Sequence, residues 1–205
     1  MISTELPKTR EENKTFPLLK SEIDKELTNT EQHQGKIIAI TSANAGQGKS
    51  LISENLAKSI TQSKFNTVLL KTSATDHSET DLSTEKGLSN YLKDEAKLGE
   101  VIFHIPGSSL SVINAGSNLE SCEHLINSRK MLELLTQLRQ FYDFVIIDSP
   151  SLECPYSSFL SKQADVTTLV VDSSNSNSKD VLRAEELLSS ANIEISGIIL
   201  NRTQV

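Results

Sequence analysis

Short apolar runs alternate along the chain with longer stretches in which apolar residues recur at helical spacing. The short runs predict β-strands, and the longer periodic stretches predict amphipathic helices. Strands that alternate with helices are typical of crossover units, whose strands run parallel within one sheet. The pattern therefore predicts an α/β fold with a mostly parallel central sheet flanked by helices. The predicted strands cover 36–42, 67–70, 110–114, 143–147, 166–171 and 195–200, and the predicted helices cover 48–63, 87–92, 128–141 and 179–191.

A polar segment, residues 1–34, precedes this pattern. Within it Leu18, Leu19, Ile23 and Leu27 recur at helical spacing, which predicts a short amphipathic helix that docks on the domain's own surface. We therefore divide the chain into a polar N-terminal tail, residues 1–34, and one folded domain, residues 35–205. The apolar runs fall short of the ~18 residues of a membrane span, and the tail lacks the apolar segment of a signal peptide. We expect a cytoplasmic protein without a membrane span of its own.

Residues 43–50 read A-N-A-G-Q-G-K-S and directly follow the first predicted strand. A strand, a glycine-containing loop ending in Gly-Lys-Ser and a helix form the context of a phosphate-binding loop, or P-loop. Ala43 stands where the pattern has glycine, which is a small departure, and the alternative is a glycine turn before a surface helix. Backbone N–H groups in such a loop bind phosphate oxygens. The predicted nucleotide-binding residues in this segment are Ala45, Gly46, Gln47, Gly48, Lys49, Ser50 and Leu51.

Three side chains are predicted to supply the chemistry at this loop. Lys49 would contact the β- and γ-phosphates of ATP or ADP, and Ser50 would be a ligand of Mg²⁺. Asp148 ends an apolar strand and would hold the shell of Mg²⁺, usually through water. We therefore assign Lys49 and Asp148 as catalytic residues and Ser50 and Asp148 as metal-binding residues, although a carboxylate at a strand end is also common in structural turns.

A second polar pair, Asn201 and Arg202, ends the last predicted strand. An asparagine amide can donate to and accept from a purine edge, so both residues are predicted to bind the nucleotide. The alternative is a simple cap of the strand end.

The charge balance limits the class of partner. The 205 residues include 20 basic and 27 acidic side chains, which gives a formal net charge of −7. Because a protein that binds bulk nucleic acid needs a basic excess, no nucleic-acid partner is expected. Cys122 and Cys154 lie far apart and form no C-x-x-C pair, so we expect free thiols in a reducing compartment.

The order of these segments resembles the bacterial tyrosine kinases of capsule and exopolysaccharide synthesis, within the larger group of ParA/MinD-like P-loop ATPases. The resemblance covers nearly all of residues 35–202. It implies a P-loop NTPase fold, ATP or ADP with Mg²⁺ as cofactor, assembly into homo-oligomers, and a transmembrane polysaccharide chain-length regulator as partner. The stretches that carry it are 37–50, G-L-S-N-Y-L at 87–92, S-V-I-N-A-G at 111–116, L-I-N-S-R-K-M at 125–131, Y-D-F-V-I-I-D-S-P at 142–150, A-D-V-T-T-L-V-V at 164–171 and G-I-I-L-N-R at 197–202.

The chain departs from this family at the end of the second strand. The family's Asp-x-Asp motif is replaced by Thr72 and Ala74, which can neither act as a general base nor bring negative charge to a metal. Lys71, beside them, brings a positive charge near the site. It could partly replace the charge of the metal, but the expected case is that it points to solvent.

The family's C-terminal tyrosine cluster is also not found before Val205. Tyr91, Tyr142 and Tyr156 each stand beside apolar residues and are expected to be packed rather than phosphorylated.

Three functions remain open from the sequence. The first is an ATP-binding, tyrosine-kinase-like protein of polysaccharide synthesis and export with weak or no kinase activity. The second is a non-catalytic, nucleotide-dependent regulator of the same machinery. The third is a ParA/MinD-like positioning ATPase. Asn44 counts against this function, since many of that group carry a signature lysine at this position.

Overall fold

A seven-stranded sheet organises the part of the chain that the structure, a computed structural model, describes: residues 34–73, 86–116, 123–174 and 178–203. The strand order is β3-β4-β2-β5-β1-β6-β7. All neighbours pair in parallel except β3, which runs antiparallel to β4. The predicted α/β fold with a mostly parallel central sheet is confirmed. The strands are β1 (Lys36–Ser42), β2 (Thr67–Lys71), β3 (Phe103–His104), β4 (Leu110–Ile113), β5 (Phe144–Asp148), β6 (Val166–Asp172) and β7 (Gly197–Asn201).

Helices connect these strands, and each predicted helix is present with its bounds shifted by one or two residues. The sequence pattern missed the short elements, since a segment of two to six residues contains too few positions to reveal a period. The missed elements are the short helices at Leu98–Val101, Glu123–Ile126 and Ser157–Lys162 and the strand β3. The helices are α1 (Lys49–Thr61), α2 (Leu88–Leu92), α3 (Leu98–Val101), α4 (Glu123–Ile126), α5 (Arg129–Phe141), α6 (Ser157–Lys162) and α7 (Ser178–Ser190).

Helix α5 shows how one amphipathic segment covers the sheet. The Ser128 side chain caps it by accepting a hydrogen bond from the Met131 N–H at 3.3 Å. Met131, Leu134 and Leu138 are buried in the cluster that also contains inward residues of β1, β2 and β5. Phe141 is also apolar but is 70% exposed, because it lies at the helix end beyond the sheet.

The register of the central strands places the polar strand ends at one edge. Lys71 and Ile40 both pair with Asp148, so β1, β2 and β5 end side by side. The loop after β1 and the segments after β2 and β5 therefore meet at the carboxyl edge of the sheet, where α/β proteins bind ligands.

Three sequence predictions lie outside the described residues: the helix within the N-terminal tail, Ala74 with most of the loop predicted after β2, and the free thiol of Cys122. Among the described helices, none is long and apolar enough to cross a membrane.

Candidate functional site

The loop between β1 and α1 has the backbone shape of a P-loop. Gly46 and Gly48 adopt left-handed conformations, with φ of 76° and 87°, which glycine reaches without strain. A Cβ atom added at Gly46 would meet nothing within 4 Å, so the loop is open there. A Cβ atom at Gly48 would lie 2.2 Å from Asn201 Nδ2, so the loop closes tightly against β7 at its other end.

Lys49 begins α1 and is buried inside this loop. Its Nζ donates to Ser42 Oγ at 2.9 Å, and Ser42 Oγ donates in turn to the Asn44 carbonyl at 2.6 Å. Burial lowers the pKa of Lys49, while the carboxylates of Asp148 and Glu153 act against that shift. The ammonium group is therefore held within the loop by a hydroxyl and by two acidic groups, a position from which it could bind phosphate oxygens.

Asp148 lies beneath the same loop at the end of β5, with 1% of its surface exposed. Burial raises its pKa to about 6, and this rise is opposed first by a hydrogen bond from the Ser50 side chain and then by Lys49 and Lys71. Ser53 Oγ lies 3.5 Å from Oδ1, whereas no protein atom of the described residues hydrogen-bonds to Oδ2. A buried carboxylate oxygen without a partner, beside a serine hydroxyl, fits the hard oxygen ligands that Mg²⁺ prefers.

Lys71 contradicts the expectation that it points to solvent. Its side chain is 3% exposed, and its Nζ lies 3.3 Å from Oε1 of Glu54, which is 5% exposed. The reason is that α1 covers this face of the sheet, so that Glu54 on the helix meets Lys71 on β2. A buried ion pair therefore lies next to Asp148.

Thr72 stands where the resembling kinases carry the first carboxylate of their Asp-x-Asp motif. Its Oγ1 donates to the backbone carbonyl of Asp148 at 2.8 Å, and its N–H donates to the same oxygen at 3.2 Å. The hydroxyl thus joins β2 to β5, and that Thr72 is no general base stays a prediction.

Asn201 and Arg202 are brought to different surroundings. Asn201 Nδ2 donates to the Gln47 carbonyl at 2.9 Å, and its Oδ1 accepts from the Arg202 N–H at 3.0 Å. The Arg202 guanidinium instead pairs with Asp172 Oδ2 at 2.6 Å. Asn201 therefore contacts the P-loop directly, whereas the Arg202 side chain is directed at the end of β6.

The sequence analysis missed Glu153, in the segment after β5. Its Oε2 accepts from the Ala45 N–H at 3.3 Å and from Ser151 Oγ at 3.3 Å. The sequence did contain a signal for Glu153, namely an acidic residue shortly after the strand-end Asp148. The segment that follows β5 must leave the sheet beside the P-loop. Leu51, which was predicted from the motif, has an exposed side chain and can contribute only its backbone.

The AAA domain family matches residues 35–172. The chain belongs to the AAA domain family. This AAA domain is 29% identical over 174 residues to the tyrosine-protein kinase CpsD of Streptococcus agalactiae, covering 82% of this chain and 76% of CpsD. It is 28% identical over 172 residues to the tyrosine-protein kinase etk of Escherichia coli K12, covering 82% of this chain but 24% of etk.

Solved structures agree with these relatives. The chimerical protein CapA2B2 superposes on this AAA domain with a TM-score of 0.84 at 29% identity, covering 98% of this chain and 88% of the other. The septum site-determining protein MinD of Pyrococcus horikoshii, complexed with Mg-ADP, superposes with a TM-score of 0.65 at 23% identity. The superposition covers 83% of this chain and 72% of the MinD chain. The second likeness shows the fold alone. The predicted resemblance to bacterial tyrosine kinases is confirmed, and the likeness to MinD is confirmed for the fold.

Proposed function

We propose that this AAA domain binds ATP or ADP with Mg²⁺ at the P-loop. The observation that carries the proposal is the meeting of Lys49, Ser50 and Asp148 beneath one open loop, with Asp148 Oδ2 lacking a hydrogen-bond partner among the described residues. Backbone N–H groups of residues 45–51 would bind the phosphates, and Lys49 would neutralise part of their charge. Ser50 and Asp148 would hold Mg²⁺, which when bound draws charge from the β- and γ-phosphates.

We further propose that phosphoryl transfer is weak or absent. Thr72 stands where the resemblance implies a carboxylate; its Oγ1 donates to the Asp148 carbonyl, and a neutral hydroxyl is too weak a base to take a proton from an attacking group. This observation favours the second candidate function, a nucleotide-dependent regulator that acts by assembly rather than by turnover.

We propose that the pathway is capsular or exopolysaccharide synthesis and export. The support is the resemblance along residues 35–202 and the similarity to tyrosine-protein kinases such as CpsD. A transmembrane chain-length regulator would then be the partner, and homo-oligomers and a location at the cytoplasmic face of the membrane would follow from that role.

Calorimetry with ATP and ADP in the presence of Mg²⁺ tests nucleotide binding. Removing a charge-assisted hydrogen bond costs about 1.5–3 kcal/mol, so Lys49→Ala should weaken binding by roughly 10-fold to 150-fold. Lys58→Ala is the matched control, because Lys58 lies on the same helix near its other end. If wild-type protein and Lys49→Ala bind equally weakly, the proposal is wrong.

A further inference from the structure

Glu153 accepts from one backbone N–H that the proposed function assigns to phosphate. Its Oε2 accepts from the Ala45 N–H of the P-loop at 3.3 Å, across 108 positions of sequence. The Ser151 hydroxyl donates to the same oxygen at 3.3 Å and so favours this orientation. The side chain is exposed, so it can also turn away into solvent. A negative oxygen thus lies at the mouth of an anion-binding loop.

The carboxylate also acts on the cation of the loop. Glu153 and Asp148 are the two acidic groups whose charge favours the protonated form of Lys49. Lys49 is buried and donates to Ser42 at 2.9 Å, so its ammonium stays within the loop. One carboxylate therefore contacts a loop N–H and also interacts with the loop's lysine, as a phosphate oxygen would.

The position of Glu153 indicates which phosphate it would meet. It lies in the segment that directly follows Asp148, the residue on the metal side of the site. Asp148 would hold Mg²⁺, which would neutralise charge at the terminal end of the phosphate chain, so Glu153, in the segment after Asp148, would face that end of a bound nucleotide. A triphosphate would bring its terminal charge against the carboxylate, whereas a diphosphate carries no such charge.

We propose that Glu153 determines selectivity between nucleotides by opposing the terminal phosphate, so that the chain favours a nucleoside diphosphate over a triphosphate. The inference rests on the proposed binding of nucleotide at the P-loop. The Glu153 carboxylate would oppose the terminal phosphate by charge repulsion rather than by a steric clash, because the exposed side chain can rotate while its charge stays near the site. It would keep the resting protein in its diphosphate-bound form.

Calorimetry on Glu153→Gln tests this selectivity with Mg²⁺, ADP and a non-hydrolysable ATP analogue. Glutamine keeps the size of the side chain and can still accept from Ala45, but it lacks the charge. Affinity for the triphosphate should rise roughly fivefold relative to affinity for ADP, since two solvent-exposed charges about 4 Å apart in water interact on this scale. The difference between wild type and variant should shrink as ionic strength rises, because salt screens exposed charges.

Asp180→Asn is the matched control. Asp180 lines the same small groove beside the loop as Glu153, but it is not among the groups whose charge acts on Lys49. Its replacement should leave the preference between the two nucleotides nearly unchanged, while Glu153→Asp should keep much of the wild-type preference.

The outcomes separate the two proposals. If the wild type binds neither nucleotide, the proposed function fails and this inference fails with it. If both nucleotides bind, and Glu153→Gln leaves their affinity ratio unchanged or weakens the triphosphate, the role of Glu153 alone is overturned.

Discussion

At the scale of single residues, Asp148 combines a buried position with an ionisable group. Burial raises its pKa to about 6 from an ordinary value of 3.8, against the effects of Ser50, Lys49 and Lys71. A carboxyl whose pKa rises on folding stabilises the folded state at low pH, and this contribution disappears as the pH rises through the folded value. At pH 7 the ionised Asp148 therefore lowers the free energy of unfolding of the nucleotide-free protein.

We expect Asp148→Asn to raise the free energy of unfolding at pH 7 by an amount on the order of 3 kcal/mol. The gain over wild type should shrink as the pH falls through about 6 toward 4. Urea denaturation at a series of pH values, in buffer free of divalent metal and nucleotide, measures both effects. A gain in the free energy of unfolding that does not depend on pH would contradict the raised pKa of Asp148.

Asp172→Asn provides the opposite case. The pKa of Asp172 lies below its ordinary value, first because Ser174 donates a hydrogen bond to it. Its replacement should therefore destabilise the protein at pH 7, whereas the replacement of Asp148 stabilises it.

At the scale of elements, the buried Lys71–Glu54 pair joins β2 to α1. Its atoms lie 3.3 Å apart and both side chains are at most 5% exposed. Two charges withdrawn from water in this way depend on each other, because either one alone would remain poorly solvated. The pair thus helps to hold α1 on the sheet. Glu54 lies one helical turn beyond Ser50 on that helix.

We expect Lys71→Met to lower the free energy of unfolding by about 3–5 kcal/mol, because the Glu54 carboxylate would stay buried without the Lys71 ammonium. Adding Glu54→Gln should recover a large part of that loss. Chemical denaturation of the single and double variants measures the coupling.

The exposed pair formed by Arg129 and Glu133 on α5 is the control. Arg129 is 91% exposed, so Arg129→Met should cost no more than about 1 kcal/mol. Equal effects of Arg129→Met and Lys71→Met would show that burial of the Lys71 pair is unimportant.

At the scale of the whole molecule, the site joins segments that are distant in sequence, whereas the tyrosines belong to the core. Tyr156 is buried in the main core cluster, and Tyr91 and Tyr142 pack against it. Lys130 Nζ also lies 5.0 Å from the ring centre of Tyr91. Tyr156 would have to unfold locally to reach another copy, and the half-buried Tyr91 and Tyr142 are held by their packing against the cluster, so we expect all three to be poor acceptors.

We expect the purified protein to show little or no tyrosine autophosphorylation. Incubation with labelled ATP and mapping of Tyr91, Tyr142 and Tyr156 measures it. Rapid, stoichiometric labelling that disappears in Lys49→Ala would show that this chain is a fully active tyrosine kinase and would contradict the prediction.

The double variant Thr72→Asp, Ala74→Asp tests the cause of weak turnover. Since a positioned general base contributes about 10²–10⁴-fold, turnover should rise if the missing carboxylates limit it. Adding Lys49→Ala to this variant should remove the gain. No rise in turnover would place the defect elsewhere.

The sequence by itself determined the main strands and helices, the P-loop and the strand-end Asp148. These features depend on local signals, namely apolar runs, helical spacing and a compact glycine motif, and each lies within one segment. Local pattern also placed Asn201 at a strand end beside the site, although it did not reveal the bond to the Gln47 carbonyl.

Only the tertiary structure decided which polar groups meet. Lys71 is buried because α1 covers its strand and presents Glu54, and a single lysine after an apolar run gives no sign of this. Glu153 meets Ala45 because β1 and β5 are neighbours whose carboxyl ends lie together, although the residues are 108 positions apart. Register and strand order, which no local pattern encodes, set these contacts and with them the charge around the loop.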